Sequence, residues 1–382
     1  MSSLILIGDT LIDSPGIRFD SKIIEICRQA DIVLLNLEGP ISSRPAETGK
    51  REKRLVAHRH TLVQLALLNV SAVLLGNNHI MDAGEKGLRK TVSLLRDKGF
   101  SFAGIAAAPG DIHNELILKS KNGPDYVLFS FSHREGVMYN GGNCGPLPLP
   151  TLSRLKEMIL EQQRQRRRIV FSFHGGEEYF GVPWPRRRGF FHLLNDLGVD
   201  IIFGHHAHVV QPIEIRNVRP VIYSPGNFYL DTIRQRARGG TDRGFLAEVS
   251  LEGAANIKLH YIEIDRQEKK VTFINTRQHS LKKDILFEEK GYKRQWAEEC
   301  MLYFDHPQKK GIKKNRENFF TRSLRRSLRR SLRRGFRKYK LIKHLKAVPR
   351  KVRDLDILIS STYFGRFYVR RMHRAGYRDF DF

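Results

Sequence analysis

Short apolar runs recur along this chain, and one after another closes on a polar side chain of the metal-ligating kind. Leu4-Ile5-Leu6-Ile7 leads into Gly8-Asp9, and the run 31–37 ends at Glu38-Gly39-Pro40. The run 72–75 ends at Gly76-Asn77-Asn78-His79, 169–173 at His174, and 199–203 at Gly204-His205-His206-Ala207-His208. Such runs read as buried strands. Helical patterns at 20–30, 61–68, 84–98, 151–167 and 190–197 separate them, which predicts an α/β chain. Further strands are expected at 126–131 and 220–223. Alternating segments at 244–251, 257–265 and 270–277 read as antiparallel strands completing a sheet. Layered α/β proteins build their sites outside the carboxyl ends of strands. One ligand-like residue there is chance, but five strands ending this way predict a shared site.

The residue types say what such a site would hold. Asp9, Glu38, Asn78, His174, His206 and His208 form an oxygen and nitrogen set without thiolate, which suits Mn, Fe or Zn. The set exceeds the protein ligands that one catalytic zinc takes. It suits one or two divalent ions, a pair standing roughly 3.5–4 Å apart with a bridging carboxylate. An H-x-H pair leaving a strand is expected to send His206 and His208 to the same side, because residues i and i+2 share a face.

Six motifs in order then carry a resemblance. They are Gly8-Asp9; Asn36-Leu37-Glu38-Gly39; 77–84 (NNHIMDAG); 174–179 (HGGEEY); 204–211 (GHHAHVVQ); and 223–228 (YSPGNF). Over roughly residues 4 to 235 the chain resembles the CapA family of capsule and poly-γ-glutamate synthesis proteins, which stands with the calcineurin-like metallophosphoesterases. The resemblance implies a four-layer αββα metallophosphatase-like sandwich, two mixed sheets flanked by helices, with a dimetal site at one edge. It puts Glu38 at the bridging carboxylate, Asp9 and His208 on one metal, and Asn78, His174 and His206 on the other. It makes His79 the general acid for the leaving group, with Asp82 orienting it. Asp82 could instead cap the following helix. Glu178, Asn227 and His205 are the candidate substrate contacts. Asn227 could equally close a turn, and one of Glu177 and Glu178 is expected to be a surface charge. The wider phosphoesterase pattern has D-x-H on the first strand, where this chain has Asp9-Thr10-Leu11. One ligand is therefore missing, and His133, His58 and His60 could replace it or simply be loop residues.

The formal net charge of +27 is concentrated at one end, because residues 309–382 hold 25 Lys and Arg against 5 Asp and Glu. There Ser-Leu-Arg-Arg occurs three times over 323–334, placing Leu324, Leu328, Leu332 and Phe336 on a slowly turning helical stripe. Domains are thus expected at 1–285, CapA-type, and 286–382, a basic helical tail. Such a tail seeks an anionic membrane surface, an acidic polymer or a polymer-synthase partner. No motif for sequence-specific nucleic-acid reading is present. Three scattered cysteines and an opening without a charged leader point to the cytoplasm, at the inner membrane surface if the tail docks there. Two functions are expected from this: a metal-dependent hydrolase acting on an anionic substrate or polymer, or a non-catalytic binding protein that docks through its tail.

Overall fold

The computed structural model describes residues 3–42, 54–121, 123–133, 138–250 and 256–279, with 292, 295, 296, 298 and 299 beyond them. The chain divides into two compact units, Met1–Glu299 and Cys300–Phe382. Most of the basic tail expected at 286–382, with its Ser-Leu-Arg-Arg repeats at 323–334, lies outside the described residues.

The first elements are β1 (Leu4–Thr10), β2 (Arg18–Phe19), α1 (Ser21–Gln29), β3 (Ile32–Leu37), α2 (Thr61–Leu67), β4 (Ala72–Leu74) and α3 (Gly84–Asp97). Then come β5 (Ser101–Ala103), β6 (Ile105–Ala108), β7 (Asp111–His113), β8 (Glu115–Leu118), β9 (Tyr126–Ser132), β10 (Gly145–Pro146), α4 (Leu152–Arg164) and β11 (Arg168–His174). The rest are α5 (Pro185–Asp196), β12 (Ile201–His205), β13 (Ile213–Arg216), β14 (Arg219–Ile222), β15 (Asn227–Tyr229), α6 (Ile233–Arg236), β16 (Arg243–Ser250), β17 (Asn256–Asp265) and β18 (Lys270–His279).

One sheet has nine strands in the order β2-β18-β17-β16-β1-β3-β4-β5, with β15 pairing β1. The sheet facing it has six, β13-β14-β12-β11-β9-β8, and β10-β6-β7 form a small antiparallel sheet of three. Both large sheets are mixed. The strands at the centre are parallel and the flanking ones, β16, β17, β13 and β8, are antiparallel.

Period-two alternation builds the layers. Leu4, Leu6, Ile32, Leu34, Ala72 and Leu74 face one way and pack with Leu128, Val170, Ile201, Phe203 and Ile222 of the six-stranded sheet, so the two sheets lie face to face. Ile5, Ile7, Val33, Leu35 and Val73 face the other way, against Ile23 and Cys27 of α1, Leu62 and Leu65 of α2, and Leu88, Val92 and Leu95 of α3. On the far side, Val127, Phe129, Ile169, Phe171 and Val221 pack under Leu155, Met158 and Ile159 of α4 and Phe191 and Leu194 of α5. The architecture is therefore four layers, αββα, as expected.

Local differences from the expectation are short elements. Strands β5 to β8, β10, β13 and β15 span only two to four residues each, too few for a periodic signal to stand out. Helix α5 begins at Pro185 rather than 190, because Pro at the first helical position has its φ preset and gives up an N–H that would be unpaired anyway. Strand β12 runs two residues past 203, so His205 belongs to the strand.

α5 is fastened to the sheet by a charged cluster. Glu214, 7% exposed, accepts from Arg188 Nε at 2.6 Å, the Tyr223 hydroxyl at 3.1 Å and His192 Nε2 at 2.8 Å. Burial would raise the Glu214 carboxyl, but His192 and Arg188 outweigh it and hold it below its ordinary value. A depressed carboxylate contributes stability that is complete above its unfolded pKa and is lost as pH falls through the folded one. Glu214→Ala is therefore expected to destabilise the protein by about 3 kcal/mol at neutral pH. That gap should close as urea titrations are repeated at falling pH below 4.5. A gap that persists unchanged in acid would refute the assignment.

Candidate metal centre

The carboxyl ends of β1, β3, β11 and β12 converge at one edge of the two facing sheets. Glycine permits the approach: a side chain on Gly8 would meet the Gly226 carbonyl, and one on Gly204 the Tyr223 carbonyl. Asp9 is almost wholly buried. Its Oδ1 accepts from Asn36 Nδ2 at 2.8 Å and lies 3.1 Å from His205 Nδ1. Its Oδ2 accepts the His206 backbone N–H at 3.1 Å and stands 3.3 Å from His208 Nδ1. Glu38 Oε1 is 3.4 Å from His208 Nε2, 3.9 Å from His174 Nε2 and 4.0 Å from His79 Nε2. His174 Nε2 and His206 Nδ1 are 3.2 Å apart. Asp9, Glu38 and His208 offer ligand atoms all within 4.8 Å of one another, and so do Glu178, His206 and His208. Asn78 follows β4 in the same loop as His79, its side-chain oxygen shielded from solvent.

The backbone here is not relaxed. His206, His208 and Tyr179 have φ of 83°, 58° and 65°, the left-handed region that side chains other than glycine rarely adopt. Each such residue costs about 1–3 kcal/mol, which the surrounding packing must hold in place. The strand-alternation argument for His206 and His208 is corrected by this. Strand β12 ends at His205, and the two imidazoles reach one centre through left-handed turns instead.

The electrostatics mark Glu38 out. It is 0% exposed, and among the described residues neither carboxylate oxygen has a hydrogen-bond partner. Burial pushes it up to about 8, with Asp9 adding to that and His208 and His79 opposing. Asp9 lies well below its ordinary value: burial opposes this, but hydrogen bonds with His205 and His208 prevail. Burial likewise drives His174 well down, despite Asp9. For His208 burial acts downward, yet Glu38 and Asp9 push it up to about 10. An orphaned, buried carboxylate facing three imidazoles and a second carboxylate is a donor set that fits a divalent cation.

Other expected residues fall as follows. His79 Nδ1 is 2.8 Å from Asp82 Oδ2, which also accepts the Leu55 N–H at 2.7 Å. Asp82 does not cap α3, whose N-cap is Ala83. Burial would lower His79, but Asp82 and Glu38 raise it. Asn227, expected at the substrate or in a turn, is 1% exposed with its amide fully engaged. Its Oδ1 faces His208 Nδ1 at 3.0 Å, and its Nδ2 is directed at the His208 carbonyl, Gln235 Oε1 and the Thr241 carbonyl. Those bonds fix the orientation of the His208 ring. His205, also expected at the substrate, is wholly buried against Phe203 and Asp9, because its place in β12 turns it inward. Glu178 stands with His206 and His208, whereas Glu177 lies beside Arg187 and is raised by burial.

Leu11 is 2% exposed and packs in the outer core, so no ligand stands there. His58 accepts from the His60 backbone ahead of α2, and His60 meets Gln64. Neither belongs to a ligand group among the described residues.

Two residues were not singled out from the sequence. Asn36 bridges Asp9 and His174, standing 3.4 Å from His174 Nδ1; its signal was its place two residues before Glu38, on the same strand face. Arg187, 5% exposed, donates to the Gly175 carbonyl at 2.8 Å, lies 3.5 Å from the His205 carbonyl and bonds Gln211 Oε1. It ties together the strand ends that carry His174 and His206. No local signal announced it, since the middle one of three consecutive arginines on a helix reads as a surface charge.

Four αββα layers with a buried carboxylate–histidine centre at the strand ends define a metallophosphoesterase-like protein. Residues 12–232 match the family described as bacterial capsule synthesis protein PGA_cap, and the chain belongs to that family. It is 28% identical over 215 residues to the PGA biosynthesis protein CapA of Bacillus subtilis, covering 56% of this chain and 57% of that protein. It is 26% identical over 212 residues to the capsule biosynthesis protein CapA of Bacillus anthracis, covering 53% and 51%. A probable polyglutamine synthesis accessory protein of Mycobacterium tuberculosis is 25% identical over 208 residues, covering 52% and 55%. The chain thus spans little more than half the length of these relatives.

Proposed function

We propose that this chain is a metal-dependent hydrolase that cleaves a phosphoester or related bond of an anionic substrate in capsule or poly-γ-glutamate synthesis. One observation carries the reading: a wholly buried Glu38, without a hydrogen-bond partner among the described residues, facing His174, His208 and His79. Asp9, Glu38, Asn78, His174, His206 and His208 would hold one or two divalent ions, Mn, Fe or Zn, with Glu178 joining from the loop after β11. When bound, such ions supply a lowered water pKa and a clamp on the oxygens of the displaced group. The protein's part is to orient and to move protons. Asn36 and His205 fix Asp9, and Asn227 fixes the His208 ring. His79, held through Nδ1 by Asp82, presents Nε2 toward Glu38 and would protonate the leaving oxygen there. Full-length protein supplied with Mn²⁺ is expected to turn over a phosphomonoester, a phosphodiester or a γ-glutamyl amide, and a chelator to abolish the rate. Absence of turnover on all three, in protein that holds metal, would remove the hydrolytic reading.

Leu11 favours a second reading, because it fills a ligand position with a buried apolar side chain. The chain would then serve as a binding protein, carried to an acidic polymer, a polymer synthase or the inner membrane surface by residues 309–382. No helix among the described residues is long and apolar enough to cross a membrane. Deleting 309–382 is expected to weaken binding to anionic vesicles or poly-γ-glutamate more than about 100-fold at low salt. The intact chain's binding should weaken as salt rises. Equal binding with and without the tail would exclude this role.

A further inference from the structure

Arg234 and Arg238 stand on α6 and in the turn after it, beside the centre. The Arg238 guanidinium lies over the Tyr179 ring, 5.0 Å from its centroid, and that ring is 5.8 Å from the His208 ring. The Tyr179 hydroxyl accepts from Gln235 Nε2 at 3.3 Å, and Gln235 Oε1 accepts from Asn227, which holds His208. α6 is thus fastened to the centre twice, through an aromatic ring and through hydrogen bonds. The neighbouring Arg236 is paired with Asp231 at 2.6 Å. Arg234 and Arg238 have no carboxylate partner among the described residues, and Arg234 is exposed. Arg238 thus stands against the ring that contacts the centre, and Arg234 stands on the short helix whose Gln235 bonds the same ring's hydroxyl. The centre itself gathers Asp9, Glu38 and Glu178, whose charge repels an approaching anion. Guanidinium groups left unpaired one ring away supply the opposite charge, in a geometry suited to carboxylate or phosphate.

We propose that Arg234 and Arg238 form a cationic subsite for a second anionic group of the substrate, so that the site selects molecules carrying repeated anions. This rests on the reading of the substrate as an anionic polymer. The test is calorimetric titration of full-length, Mn²⁺-supplied protein with penta-γ-glutamate and, separately, with inorganic tripolyphosphate. Arg234→Gln/Arg238→Gln is expected to bind about tenfold more weakly than wild type. The basic tail is common to both proteins, so the difference reports the subsite alone. A loss with penta-γ-glutamate assigns carboxylates, and a loss confined to tripolyphosphate assigns phosphates. Arg238→Lys, which keeps the charge, should recover most of the affinity. Equal affinity of variant and wild type for both probes overturns the subsite. So does a double variant that loses metal along with affinity, since the arginines would then belong to the scaffold. Metal content is measured alongside. Wild type that takes up no metal ends the hydrolase reading, while the affinity comparison still decides the subsite.

Discussion

His174→Ala/His206→Ala is expected to leave the protein without bound metal under conditions in which the wild type retains Mn, Fe or Zn. The two imidazoles lie 3.2 Å apart at their nearest nitrogens, and both are buried. Losing a residue that merely orients a ligand costs about 10- to 100-fold in metal affinity. Removing two direct donors should exceed about 10⁴-fold by the same scale. Metal analysis of dialysed protein measures it, with circular dichroism showing that the sheets persist. Wild type that emerges metal-free after incubation with each ion would end the proposal. A variant that keeps its metal would move the centre elsewhere. Asn227→Ala should fall between the two, because it touches His208 and not the ion.

The second large effect has the opposite sign in the absence of metal. Among the described residues Glu38 has no hydrogen-bond partner, and His208 at 3.4 Å and His79 at 4.0 Å offset only part of its desolvation, so burial still pushes it up to about 8. Replacing a buried carboxyl that has no hydrogen-bond partner by an apolar group of similar volume relieves a desolvation cost of about 1–3 kcal/mol. Glu38→Met, measured in chelator, is therefore expected to melt higher than wild type by about 2–4 °C per kcal/mol gained. His208 keeps Asp9 as a neighbour at 3.3 Å, so the substitution does not strand its charge. Added metal should reverse the order. At 100 times its dissociation constant a ligand stabilises the wild type by about 2.7 kcal/mol, and the variant should gain nothing. A Glu38→Met protein that melts lower than wild type in chelator would mean that the carboxylate is structural.

Much of the fold was legible because its signals are local. Period-two alternation in 4–7, 32–37 and 72–75 places one set of side chains between the sheets and the other under the helices, and short runs broken by helical patterns already imply layers. The strands that escaped notice are two to four residues long and take their conformation from neighbours they pair with. Within the site the same division holds. Asp9, Glu38, His174, His206 and His208 were visible as polar residues at strand ends. Glu178 was not separable from Glu177, since adjacent acids look alike until a loop turns one toward His206 and the other toward Arg187.

By itself the sequence determined which residues end the strands, in what order, and that one end of the chain carries most of the positive charge. These follow from hydrophobic periodicity and composition, which act over a few residues at a time. Tertiary structure alone decided that His206 and His208 meet through left-handed turns, that Asn227 holds the His208 ring and His205 packs against Asp9, and that Arg187 joins two strand ends. Those outcomes depend on contacts between residues far apart in the chain, and only burial against a particular neighbour tells a side chain which hydrogen bond to make.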